Sequence, residues 1–155
     1  MGKRIDVNAL PVVTGSNYPA PFDAECTKQS SVRLGDPAGL TDFGVNLTRL
    51  SPGTWSSQRH WHSAEDEFVY VLEGEVVLVT DSGEEILRVG NCAGFKSGVR
   101  DGHHLQNRSD REAVLLEVGS RRLAEDEGAY SDIDMIFLKS NGGYAHRDGR
   151  PYPKK

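Results

Sequence analysis

The chain has 155 residues and a mass of 17.0 kDa, with 37% hydrophobic and 26% charged residues and a formal net charge of −5 at pH 7. That is enough for one domain with a core and too little for two comfortable ones, and it lies outside the charge-rich range of disordered chains. The acidic balance excludes broad electrostatic capture of nucleic acid or of an anionic membrane, since each needs a concentrated basic surface.

Residues 1–42 form the first segment. "LPVVTGSNYPAPFDAEC" and "RLGDPAGL" break every short apolar group with Pro, Gly, Asn or Asp, so this stretch reads as an extended arm with turns. It carries no apolar run of signal-peptide length, and no segment of the chain approaches membrane-spanning length. Cys26 and Cys92 lie far apart without a CxxC partner and read as two free thiols of a reducing compartment, which places the protein in the cytoplasm.

From Phe43 to Gly119 the texture changes. "FGVNLTRL", "WSSQRHWH", "EFVYVLEG", "EVVLVT", "EEILRV", "HHLQNRS" and "AVLLEVGS" read as short strands separated by turn-forming groups such as "SPG", "DSG" and "KSGVRDG". The series predicts an all-β sandwich or barrel core over residues 43–119. Residues 120–155 form an extension on it: an acidic loop with one short helical turn, then extended pieces around an Asp-Gly turn that predict a C-terminal hairpin.

Alternate residues of a strand share a face, so His60 and His62 project together while Trp61 points to the other side. Glu67 opens the next strand after the turn "SAED" and can return over the same face. The run "FVYVL" behind it predicts a strand buried on both sides, where a lone carboxylate is costly unless it is paired or bound to metal. In "DGHHLQN", His103, Leu105 and Asn107 share one face and His104 and Gln106 the other, so His103 faces the core if Leu105 does. His60, His62, Glu67 and His103 then make a four-donor set for one divalent transition metal per chain (zinc, iron, manganese or nickel) with open coordination positions. The choice between His103 and His104 stays open at this point, with strand parity favouring His103.

At these residues the chain resembles the cupin superfamily, in particular the small bacterial single-domain cupins. Gly53, His60, His62, Glu67 and Gly74 match the family's first motif, and Gly90, Gly98, His103 and Asn107 its second; Lys96 stands where the family has Pro, and the gap from Gly98 to His103 is longer than usual. The resemblance implies a double-stranded β-helix, the jelly-roll barrel, as a homodimer with metal near one end of the barrel. The "DGHHLQN" run and the "DGRPY" tail resemble a subgroup some of whose members are named sugar-phosphate isomerases.

Gln58 has the parity of His60 and His62 and could touch a substrate or bond a neighbouring strand. His104 is a candidate substrate contact whose parity also suits an outward surface or interface position. Glu65, Asp66 and Asp101 are turn acids available for proton transfer, and Lys96, Arg100 and Arg59 are cations available for a phosphate or carboxylate. Trp61, Phe68 and Tyr70 make an aromatic stripe suited to core or dimer interface, and His146 gets no role. The function this predicts is a metalloenzyme of isomerase or lyase type acting on a small polar metabolite, with an iron(II) dioxygenase and a non-catalytic small-molecule binder as alternatives.

Overall fold

The computed structural model describes residues 2, 4–138 and 143–153. The described residues form thirteen strands: β1 (Val12–Thr14), β2 (Gln29–Arg33), β3 (Phe43–Leu50), β4 (His60–His62), β5 (Glu67–Glu73), β6 (Glu75–Thr80), β7 (Gly83–Arg88), β8 (Cys92–Phe95), β9 (His104–Gln106), β10 (Ala113–Ser120), β11 (Gly128–Tyr130), β12 (Ile136–Leu138) and β13 (Gly143–Ala145). Three single-turn 3-10 segments, at Val7–Ala9, Ala24–Cys26 and Asp36–Ala38, are the helical elements among the described residues.

One layer is a six-stranded sheet in the order β1-β2-β3-β10-β5-β8. The other is built from a four-stranded sheet, β13-β12-β11-β4, and a three-stranded one, β7-β6-β9, joined by isolated bridges from His60 to His103 and from Trp55 to Gln106. This antiparallel two-layer arrangement is the expected double-stranded β-helix. Two strands come from the N-terminal arm: β1 and β2 extend the six-stranded sheet by pairing on β3. The C-terminal extension supplies β11, which pairs with β4 so that Gly128 lies opposite His62 and Tyr130 opposite His60.

The alternating strands place their inward residues in one apolar core. Leu50, Val69, Val71, Ala113 and Leu115 from the first layer meet Val76, Leu78, Leu87 and Leu105 from the second, and all are buried. A second cluster ties the arm to the C-terminal strands through Tyr18, Cys26, Tyr130 and Met135, with Phe137 and Tyr144 packed against it. Cys26 is buried and Cys92 exposed, and both are free thiols.

The four motif glycines, Gly53, Gly74, Gly90 and Gly98, all adopt positive φ. At Gly74, which joins β5 to β6 at φ +72°, a Cβ would also stand 2.7 Å from the Glu112 carbonyl oxygen, so only glycine fits the corner.

The strand β5 corrects one expectation. Val69 and Val71 are buried as predicted, but Phe68, Tyr70 and Leu72 are 41%, 37% and 39% exposed on the outer face of the six-stranded sheet. A continuous apolar run therefore has one face in the core and one open in the single chain. Trp61 belongs to the other layer, where the Arg100 guanidinium lies 5.3 Å from the centre of its ring.

Candidate metal centre

His60 and His62 project from β4 toward Glu67 at the start of β5, and one donor atom from each of the three lies within 4.8 Å of the others. The distances are 3.1 Å between the two Nε2 atoms, 3.7 Å from His60 Nε2 to Glu67 Oε2 and 3.4 Å from His62 Nε2 to the same oxygen. His103 Nε2 lies 2.9 Å from that oxygen as well, so it joins the group through Glu67. Phe95 stacks flat on the His103 ring, with centroids 3.5 Å apart, and covers it from solvent.

The outer nitrogens decide what the inner ones offer. His60 Nδ1 is 2.9 Å from the Gln58 carbonyl oxygen, and His62 Nδ1 is 2.6 Å from Asp126 Oδ2. Both of these partners only accept hydrogen bonds, and the Ser57 hydroxyl, 3.3 Å from His60 Nδ1, can accept as well, so in the neutral rings the proton sits on Nδ1 and each Nε2 carries a bare lone pair. Two lone pairs aimed at each other across 3.1 Å repel unless a cation lies between them. His103 Nδ1 is buried and makes no hydrogen bond among the described residues. The residues present therefore fit a divalent transition metal: imidazole and carboxylate donors, with the outer nitrogens of His60 and His62 anchored as metal-binding histidines require.

The electrostatics agree. Burial is the main force on His60 and pushes its pKa down to about 4; the Glu67 carboxylate pulls the other way, while His62 and His103 push it lower. For Glu67, burial opposes ionisation, but the hydrogen bond from His103 and the neighbouring imidazoles outweigh it and hold the carboxyl down at about 2. The site thus combines an uncharged His60 with an ionised carboxylate across the neutral pH range.

A cavity of about 600 Å³ opens on the site and is lined by His60, Glu67 and His103, by Glu117 from β10, and at its rim by Arg33 and Arg121. A second cavity, of about 530 Å³, also reaches His60 and His62 and is lined by Tyr130, Phe137 and Tyr144. The rim arginines share Asp36, at 3.9 Å from Arg33 and 2.6 Å from Arg121.

The remaining sequence candidates are placed as follows. Gln58 is buried and turned away from the cavity, donating to the Phe22 carbonyl at 2.8 Å and to Glu25 at 3.3 Å. His104 is 3% exposed, which corrects the outward surface position: Nδ1 reaches the Ser57 carbonyl at 2.9 Å, Nε2 reaches the Gln106 amide at 2.9 Å, and the ring packs on Trp55. The face opposite His103 is covered by the segment that ends in β4, so both faces of β9 are interior. Arg59 is spent on Asp132, Asp81 and the Gly102 carbonyl, and Lys96 on Asp66. Asp66 also accepts from the Ser97 amide and Asp101 from the Asp81 amide, so these two acids secure turns.

Asp126 and Glu117 were not singled out from sequence. Asp126 is buried between β10 and β11; besides His62 it accepts hydrogen bonds from the amides of Ala64 and Glu65, at 2.8 and 3.2 Å. It locks the turn before Glu67 and the tautomer of His62 together. Its signal lay in no local pattern, because the contact spans 64 residues. Glu117 did leave a signal: it is an acid at the inward parity of Ala113 and Leu115 in an otherwise apolar strand.

The family model of the cupin domain matches residues 46–119. Among solved structures, the chain is similar to a sugar phosphate isomerase of the cupin superfamily from Silicibacter pomeroyi, with 42% identity, 97% of each chain covered and a TM-score of 0.91. It is also similar to an Acidithiobacillus ferrooxidans protein assigned as a sugar phosphate isomerase, with 26% identity, 83% of this chain and 82% of that one covered and a TM-score of 0.72. A polyketide cyclase of Streptomyces resistomycificus, 22% identical over 77% of this chain and 80% of that one with a TM-score of 0.63, shares the fold. No curated protein matches. With its two motifs, its two-layer barrel and a 42% identical relative spanning nearly its whole length, the chain belongs to the cupin superfamily.

Proposed function

We propose that this chain is a metalloenzyme that isomerises a small hydroxycarbonyl metabolite, a sugar or sugar phosphate, with one divalent transition metal held by His60, His62, Glu67 and His103. The observation that carries the reading is the pair of Nε2 lone pairs, each fixed by an acceptor behind it and both aimed into one space beside an ionised carboxylate. A metal in that space supplies a Lewis acid for a carbonyl or hydroxyl oxygen.

The chain's own groups supply the rest. Asp126 and the Gln58 carbonyl hold the two imidazoles in orientation, Phe95 screens His103 from water, and Arg33 and Arg121 bring two guanidinium groups to the cavity rim, beside Asp36 and Glu65, for an anionic substrate group. The 42% identical sugar phosphate isomerase supports the same substrate class. We place the protein in the cytoplasm, consistent with its two unpaired thiols. No helix among the described residues is long and apolar enough to cross a membrane. The open Phe68, Tyr70 and Leu72 face suits a homodimer, which sedimentation equilibrium tests directly.

The functional test is a proton NMR screen of aldose and ketose phosphates with metal-loaded wild type, chelated wild type and His62→Ala. Interconversion by the loaded wild type alone is expected. A fully loaded protein that turns over none of them, while binding one without change, would replace the enzyme reading by that of a binding module.

A further inference from the structure

Glu117 sits on β10 two residues beyond the buried Leu115, so its half-buried side chain points inward, into the barrel cavity. Its backbone pairs with Asn46 on β3 and Val69 on β5, and Glu67 lies diagonally across on the same inward face. One carboxyl oxygen, Oε2, accepts a hydrogen bond from the buried Thr48 hydroxyl at 2.6 Å. Among the described residues the carboxyl has no cationic partner and no hydrogen bond to His60, His62, Glu67 or His103.

The charged and titratable groups around it are Glu67 on β5, His60, His103 and His104 on the shared cavity wall, and Arg33, Asp36, Glu65 and Arg121 toward the rim. From β3 it meets only the uncharged Asn46 and Thr48. A carboxyl placed inside a barrel without a cation is an expensive way to fill space, because its charged form is penalised and a Leu or Met would pack without that cost. It is also the arrangement that lets an acid gain and lose a proton near neutral pH. Burial pushes the Glu117 pKa up to about 7, against the pull of the Thr48 hydroxyl, and the Glu67 charge adds to the rise.

We propose that Glu117 is the catalytic residue that takes and returns the proton in this cavity, a role that rests on the isomerase reading above. As a carboxylate it removes the proton from the carbon next to the substrate carbonyl. The C–H electron pair becomes the C=C bond of an enediolate, and the carbonyl π pair moves onto its oxygen. The hydroxyl proton passes between the two substrate oxygens, and the now neutral Glu117 delivers its proton to the neighbouring carbon. Substrate and product are isomers, the carboxylate is regenerated, and no oxidant or reductant is consumed. Thr48 is a positioning residue, since it anchors one carboxyl oxygen and leaves the other for the substrate.

The test uses zinc-loaded wild type and Glu117→Gln with two readouts. Infrared difference spectra between the two proteins, from acid to alkaline pH, look for the carbonyl stretch of a neutral carboxylic acid. Deuterium wash-in from D2O into dihydroxyacetone, ribulose 5-phosphate and fructose 6-phosphate measures proton transfer, with zinc content and melting temperature recorded on the same samples. The expected result is a neutral-acid band in the wild type that fades on passing through neutral pH. With it should come wash-in that falls by on the order of 100-fold or more in a folded, zinc-replete Glu117→Gln. A wild type without that band overturns the assignment, and so does equal wash-in by both proteins. No wash-in by the wild type overturns the proton-transfer role together with the isomerase reading, while the zinc content shows separately whether the metal centre stands.

Discussion

Asp126→Asn isolates the link between the C-terminal extension and the metal centre. Besides the Ser63 hydroxyl at 3.5 Å, the buried carboxylate serves three nearer donors: His62 Nδ1 at 2.6 Å and the amides of Ala64 and Glu65 at 2.8 and 3.2 Å. An asparagine of the same shape has one accepting oxygen and one donating nitrogen, so it cannot satisfy all three. If its oxygen stays on the two amides, its NH2 faces His62 Nδ1 and forces the ring proton onto Nε2. That removes a lone pair from the site and costs about 10- to 100-fold in metal affinity, roughly 1.4 to 2.7 kcal/mol. If the amide flips, His62 keeps its tautomer but the two backbone N–H groups lose a buried acceptor, at about 1–3 kcal/mol of stability each. Competition with a chromophoric chelator reads the first cost, thermal unfolding of the metal-free protein reads the second, and long-range nitrogen NMR of His62 reports the tautomer. Unchanged metal affinity together with an unchanged melting temperature would refute the reasoning.

Further expectations concern pH and packing. The folded pKa of Glu117 lies above that of the unfolded chain, so its neutral form stabilises the protein below about pH 4.5 and that contribution is lost as pH rises through 7. Glu117→Gln should therefore equal the wild type near pH 4.5 and exceed it by up to about 3 kcal/mol at pH 8.5 in urea titrations; equal stability at both pH values would contradict a desolvated acid without a cationic partner. His60 is shifted the opposite way, so in metal-free Glu117→Gln its contribution is present above pH 6.5 and is lost as pH falls toward 4, by about 3 kcal/mol. Replacing His60 with Asn in that background should flatten the loss, and a slope that persists would place it elsewhere. A Cβ on Gly128 would collide with the Phe137 ring and the Trp61 carbonyl, so Gly128→Ala should push β11 off β4, cost about 1–3 kcal/mol and weaken metal binding through His62. Native metal affinity in a destabilised Gly128→Ala would break that coupling.

The grouping of the candidate metal ligands was legible because strand geometry is local. The two-residue repeat alone put His60 and His62 on one face, and the parity of His103 with Leu105 turned both inward, as the buried Leu105 shows. What the sequence did not disclose depends on pairings between distant segments. β11 is three residues long, with no alternation to announce it, and it becomes a strand by pairing on β4; Asp126 reaches His62 only because of that pairing. The arm strands β1 and β2 were hidden in the same way, since β1 is exposed throughout and β2 shows no buried alternation. The surroundings of the cations depend on the same pairings: Arg59 and Lys96 meet acids brought to them by the fold, and Arg33 and Arg121, which share Asp36, line the cavity from segments whose sequences carry no ligand-binding pattern. Glu117 is the exception, because strand parity alone marks it as an acid at a core position of "AVLLEVGS".

The most direct test of the metal centre is elemental analysis by mass spectrometry of protein purified without a metal-affinity tag, with wild type and His62→Ala side by side. About one iron, manganese, nickel or zinc ion per chain in the wild type, lost in the variant, is the predicted result. Negligible metal in both proteins, persisting after incubation with each of these ions, would contradict it.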